Sequence, residues 1–286
     1  MYLCLMRELL RVGGLLGLLG LSMVVAAVVV QGLGLTAGAI IMTTAEAHRA
    51  AAGNALLLLL SFGGSALLYF LLVRQLEGFR LLRGFGGGLA LYGWIALLML
   101  GLFPVLPWLG LDAESFRLPS SLSGWEARLE AQEAQIEALM KALIQYGALP
   151  VLVLCLAVAP GLAEELFFRG ALQTQLSRLM NRHAAVWVTA TLFSLVHFQV
   201  YGLVPRALLG AVMGYLTLST GRLWPAIWAH FLNNFYATVV AYVGLHYFEQ
   251  PEWVESSYRP PFVLALVGAA MAGIAAYQLY RGRARG

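Results

Sequence analysis

The chain has 286 residues, 60% of them hydrophobic and only 11% charged, with a mean hydropathy of +0.79. That apolar share excludes a soluble globular domain and marks a polytopic membrane protein. The net charge of +4 does not point to nucleic acid, because the arginines stand at the ends of apolar segments, and two cysteines do not make a disulfide framework.

Runs apolar enough to cross a hydrocarbon core of roughly 30 Å lie near 12–34, 53–73, 87–109, 149–168, 184–201, 203–220, 224–244 and 261–280. The expected fold is an all-α polytopic membrane protein of about eight transmembrane helices, forming a single membrane domain over 1–286. Arg7 and Arg11 precede the first run as in a signal peptide. Its length and the lack of a small-residue cleavage site make it a retained helix instead. Gly13, Gly14, Gly17 and Gly20, and Gly84, Gly86, Gly87 and Gly88, lack the strand-to-helix setting of a phosphate loop and read as close helix packing.

Between the third and fourth spans, residues 121–146 are rich in Ala, Glu and Gln. Trp125, Leu129, Ile136, Leu139, Met140 and Leu143 fall on one broad face, with Glu126, Glu130, Glu133 and Glu137 elsewhere. This is an extramembrane amphipathic helix that lies on the bilayer or packs on its own bundle; a dimer contact or a lid over a site is the alternative.

Charge asymmetry orients the chain. With both termini in the cytoplasm, that side holds Arg7, Arg11, Arg74, Arg80, Arg83, Arg169, Arg178, Arg182, Arg222, Arg281, Arg283 and Arg285, twelve of the eighteen basic residues. The outer loops collect Asp112, Glu114, Glu249, Glu252 and Glu255 among their acids, and the amphipathic helix falls on the outer side. The expected location is the plasma membrane.

Three polar clusters interrupt the apolar spans, and ionisable residues at membrane depth mark working sites. The first is Glu164-Glu165-Leu166-Phe167-Phe168-Arg169. Glu164 and Glu165 point about 100° apart on a helix, while Glu165 and Arg169 share a face four residues apart. Glu165 is thus the paired carboxylate, anchored by Arg169 at the cytoplasmic end. Glu164 is left free, and an unpaired carboxylate in low-dielectric surroundings suits general-base work near neutrality. The second cluster sets Phe193 and His197 four apart; the third sets His230 and Asn234 four apart behind Trp224-Pro225, a normal helix start. Glu164 and His230 fall within roughly 10 Å of the cytoplasmic boundary by rise per residue. With the fifth span starting near Ala184, His197 falls towards the outer side.

Glu-Glu-x-x-x-Arg, then Phe-x-x-x-His, then His-x-x-x-Asn, in order on separate membrane helices, resembles the CPBP family. That family comprises the type II CAAX prenyl endopeptidases and their bacterial relatives, including bacteriocin-processing and immunity-type proteins. The resemblance covers about 150–245, so the catalytic helical core is placed at 149–244. It implies that Glu164 and His197 activate a water for attack on a peptide carbonyl, that His230 and Asn234 stabilise the oxyanion or position substrate, and that Glu165, Arg169 and Phe193 support them. The family has also been described as metal-dependent, and zinc held by His197, His230 and Glu164 is an acceptable set. Metal-free activation is preferred here, because Glu164 as a ligand leaves no base and no His-Glu-x-x-His helix is present. The implied protein is an intramembrane endopeptidase acting on hydrophobic, lipidated or membrane-embedded peptides, with membrane lipid and such substrates as partners. A proton-coupled transporter and a non-catalytic immunity or scaffold protein of the same fold are the alternatives.

Overall fold

The computed structural model describes residues 2–35, 41, 43–73, 81–82, 84, 86–109, 120–199, 202–250 and 258–283. Among them every regular element is helical. In chain order these are α1 (Tyr2–Gly32), α2 (Thr44–Val73), α3 (Gly88–Leu102), α4 (Ser123–Tyr146), α5 (Leu149–Leu176), α6 (Arg182–Leu195), α7 (Leu203–Thr220), α8 (Trp224–Tyr247) and α9 (Phe262–Arg283). Of the charges used for topology, Arg74, Arg80, Arg83, Arg285, Asp112, Glu114, Glu252 and Glu255 lie outside the described residues.

Each of the eight expected spans corresponds to a helix, but only α1, α2, α5, α7 and α9 are long and apolar enough to cross a membrane on those grounds alone. The chain is a multi-pass membrane protein. α3 has 15 residues and closes just before Pro104, and α6 has 14 and stops at Leu195, short of the predicted end at 201. α8 has the length, but His230, Asn233, Asn234 and His246 dilute its apolar character.

Local signals set the helix ends. The Thr43 hydroxyl accepts from the Glu46 N–H at 3.2 Å to start α2, and Asn181 Oδ1 accepts from the Ala184 N–H at 2.8 Å to start α6. α7 ends on Gly221, whose left-handed φ of 62° admits no side chain cheaply. Pro225 sits in the first turn of α8, as its position in the sequence predicts.

α5 is the central element. Its buried Phe167, Phe168 and Leu172 pack with Phe62 and Phe70 of α2, Ile95 and Met99 of α3, Phe193 of α6, Met213 of α7 and Leu232 of α8. Water is absent from a bilayer core, so this contact acts through dispersion and ring geometry, such as the edge-to-face pair Phe62–Phe167 at 5.5 Å. The outward faces of α1 and α9 instead expose Leu10, Leu21, Val24, Val263 and Val267, the surface that lipid covers.

At one end of the bundle, buried Glu8 of α1 accepts from Arg11 at 2.7 Å and from Gln175 of α5, and stands 3.8 Å from Arg178. Tyr69 of α2 donates to Gln175 at 2.7 Å. The start of α1 thus meets the ends of α2 and α5, as alternating spans require.

Three expectations are corrected. Arg169 does not mark the end of the fourth span: it is fully buried, and α5 runs on to Leu176 because the charge is paired inside the protein. Gly13, Gly14, Gly17 and Gly20 do not mediate close packing, since a Cβ at any of them would meet nothing within 4 Å. Gly84 and Gly87 take positive φ in the segment before α3, as does Gly88 at its first position, and a side chain at Gly86 would run into the Arg222 guanidinium. In α4, Leu143 and Ile144 are buried against α2 and α5, and Glu133, which the helical wheel puts on the polar side, is buried as well.

Candidate active site

The site begins with an ion pair inside α5. Glu165 and Arg169 are both fully buried, and Arg169 Nη1 donates to Glu165 Oε1 at 2.6 Å, the pairing their spacing predicts. Burying two charges is favourable only when their remaining polar atoms are also engaged. Arg169 Nη2 donates to the Gly210 carbonyl of α7 at 2.9 Å, and one turn later Gln173 Nε2 donates to the Gly214 carbonyl at 3.1 Å, while Arg169 Nε and Glu165 Oε2 are buried without a hydrogen-bond partner among the described residues. Gly210 and Gly214 leave these carbonyls reachable: a Cβ at Gly214 would stand 2.8 Å from Gln173 Oε1 and 2.9 Å from Val186.

Glu165 has a second partner that spacing did not reveal. His230 Nδ1 lies 2.8 Å from the same Oε1, and against a carboxylate that nitrogen is the donor. His230 Nε2 is thereby turned to Glu164, whose Oε2 lies 3.9 Å away. This exceeds hydrogen-bond length. Among the described residues, Glu164 Oε2 is buried and without a hydrogen-bond partner. An orphaned carboxylate oxygen facing an imidazole nitrogen is a place where a small polar molecule fits.

Phe193 joins the remaining groups. Its ring carries the Arg169 guanidinium 4.7 Å from its centroid. It meets Phe168 edge-on at 5.2 Å, His230 at 5.7 Å and His197 at 5.1 Å. His197 reaches this centre from a turn rather than from a helix. α6 ends at Leu195, and Phe198 takes a left-handed φ of 53°, uncommon for a bulky residue and a mark of local strain. His197 Nδ1 donates to the Phe193 carbonyl at 2.8 Å, which leaves Nε2 as the acceptor nitrogen.

Asn234 answers a different need. Pro160, inside α5, has no N–H to give to the Leu156 carbonyl four residues earlier. Asn234 Nδ2 donates to that oxygen at 3.1 Å, and its Oδ1 accepts from Asn233 at 3.1 Å. One Nδ2 hydrogen remains beyond these bonds. Pro160 to Asn234 is thus a link from α5 to α8 that the positions of Pro160 and Leu156 encode, although no motif announces it.

Among the described residues, no three His, Cys, Asp or Glu side chains are grouped to hold one metal ion. The alternative ligand set of His197, His230 and Glu164 is not gathered in this geometry.

Residues 146–236 match the family model described as type II CAAX prenyl endopeptidase Rce1-like. That match supports a CPBP-family membrane protease. The match spans all three CPBP motifs, from Glu164 to Asn234. No curated protein and no solved structure matches the chain.

Proposed function

We propose that this CPBP protein is an intramembrane endopeptidase that hydrolyses peptide bonds of hydrophobic, lipidated or membrane-embedded substrates without a metal. The observation that carries the reading is the buried, unpartnered Glu164 Oε2 facing His230 Nε2 at 3.9 Å, with Glu165 and Arg169 behind the imidazole. Glu164 and His197 Nε2 hold a water through its two hydrogens. Glu164 takes one proton as the water oxygen attacks the peptide carbonyl carbon. That proton passes to His230 Nε2, and the imidazolium is stabilised through Nδ1 by Glu165, which Arg169 holds in place. His230 Nε2–H and the remaining Asn234 Nδ2–H donate to the oxyanion. His230 then gives its proton to the amide nitrogen, the C–N bond breaks, and an acid and an amine leave. In this reading residues 1–286 form one membrane domain with its catalytic core at 149–244. The protein sits in the plasma membrane with both termini in the cytoplasm and α4 outside.

The test is turnover of a quenched hydrophobic peptide by the full chain in nanodiscs, together with a comparison of membrane proteomes from cells carrying wild type or Glu164→Gln. General acid–base catalysis is worth about 10²–10⁴-fold, and a loss of that size is expected for Glu164→Gln. Undiminished turnover by Glu164→Gln would overturn the assignment of the base. Proton-coupled flux in vesicles with no cleavage product would replace the protease by a carrier.

A further inference from the structure

The turn that carries His197 is held from one side by α7. Arg206 Nη1 donates to Gln199 Oε1 at 2.8 Å, and Nη2 donates to the Gln199 backbone carbonyl at 2.5 Å. The two bonds grip one residue by its side chain and its main chain at once, two positions after His197. The Ser194 hydroxyl donates to the Leu203 carbonyl at 2.7 Å and ties the end of α6 to the start of α7. Gly202 leaves room for the guanidinium, since a Cβ there would stand 2.7 Å from Arg206 Nη1. Phe198 is held in its left-handed conformation between these fixed points, and a strained residue persists only where its surroundings over-determine it.

Arg206 is an expensive residue to use in this way. It is partly buried, its Nε has no hydrogen-bond partner, and no carboxylate lies within ion-pair distance among the described residues. Its field reaches His197 on one side and the buried Glu133 of α4 on the other. A guanidinium serving only to bridge helices would be better placed against a carboxylate.

We infer that Arg206 is a positioning residue, which clamps Gln199 so that the His197 imidazole is presented to the site from beyond the end of α6. The inference rests on the protease reading for the role of His197, but the clamp itself is a property of the turn. His197 Nδ1 is aimed by the Phe193 carbonyl only while the chain between Leu195 and Gln199 keeps its path; without the clamp the strained Phe198 relaxes and the imidazole leaves.

The experiment uses the full chain in nanodiscs and three variants. Gln199→Leu removes the side-chain acceptor, Gln199→Glu keeps it, and Arg206→Met removes both bonds. A misplacement of about 1 Å costs roughly 100-fold, so Gln199→Leu and Arg206→Met are expected to lower kcat by about 10- to 100-fold. KM should stay within about twofold, because interactions lost only in the transition state lower kcat alone. Gln199→Glu should keep wild-type kcat. In the same preparations, diethyl pyrocarbonate modification of His197 is followed by mass spectrometry, with exposed His246 as the internal reference. His197 should react faster in Gln199→Leu and Arg206→Met and unchanged in Gln199→Glu. Equal His197 reactivity in all four proteins overturns the clamp, whether or not the protein cleaves. The expected reactivity pattern in a wild type that cleaves nothing upholds the clamp and overturns the protease reading alone.

Discussion

His230 and Glu165 are joined imidazole to carboxylate, Nδ1 to Oε1 at 2.8 Å, across 65 residues of sequence. The bond makes the tautomer of His230 a consequence of the ion pair in α5. Arg169 supports Glu165, Glu165 holds the proton on Nδ1, and Nε2 is left facing Glu164. Phe193 packs against Arg169 and both histidines, so one ring joins the parts of this relay.

Removing one member of the buried pair should therefore damage more than chemistry. Arg169→Met leaves the Glu165 charge buried with only His230 against it, and breaking such a pair costs about 3–5 kcal/mol. The double variant Glu165→Leu/Arg169→Met should regain much of that stability, as hydrophobic replacements of whole buried pairs do, while remaining inactive. Thermal unfolding of the single and double variants checks this; additive losses in the double would contradict it.

Asn234 is expected to show a coupling with Pro160. Asn234→Ala strips the Leu156 carbonyl of its donor, and interhelical hydrogen bonds in membranes are worth about 0.6 kcal/mol, up to roughly 1.7. In a Pro160→Ala background the new backbone N–H supplies that carbonyl, and the penalty of Asn234→Ala should shrink. A double-mutant cycle on unfolding in detergent measures it; a penalty of the same size in both backgrounds would rule the link out.

Two glycine substitutions should separate in sign. Gly214→Ala drives a methyl against Gln173 Oε1 and Val186, and overpacking of this kind costs about 1–3 kcal/mol. Gly13→Ala meets open space on α1 and should be neutral or stabilising by up to about 1 kcal/mol, the helix-propensity gain. Paired melting curves decide it.

Glu133 gives α4 a pH dependence. Burial raises its carboxyl above the ordinary value of 4.5, Glu137 adds to the rise, and Arg206 opposes it. The folded state therefore holds this proton to higher pH than the unfolded state does. The stabilisation is complete below about pH 4.5 and is lost as pH rises through the folded value. Glu133→Gln should flatten the fall in melting temperature above pH 4.5; parallel pH profiles for the two proteins would refute it.

The pairing of Glu165 with Arg169 was legible because both partners sit on one helix, where spacing dictates the face. The bond from Glu165 to His230 was not, since no local pattern says which helices touch. Hydropathy misjudged the end of α5 because it prices Arg169 as though it faced lipid, when its charge is met by Glu165 and the Gly210 carbonyl. The end of α6 carries no glycine or proline at 196–199, so the turn that carries His197 had no sequence marker. Glu133 misled for the converse reason: a helical wheel sorts by polarity and cannot foresee a cation on a neighbouring helix.

α5 is interrupted by two π-helical stretches, Leu154–Val158 and Leu166–Gln173, on either side of Glu164 and Glu165. A π turn is a one-residue surplus in an α-helix, and each residue turns the helix by roughly 100°. The segment that bears the two glutamates, which His230 holds through Glu165, can therefore be phased separately from the stretch beyond it that Glu8 tethers. Losing one residue from 166–173 would leave a continuous helix and an unchanged pair of glutamates, yet swing Gln173 and Gln175 away from Gly214 and Glu8. The spacing between motif and anchor is thus an adjustable setting of this helix, and length changes there are read as rotation rather than as breakage.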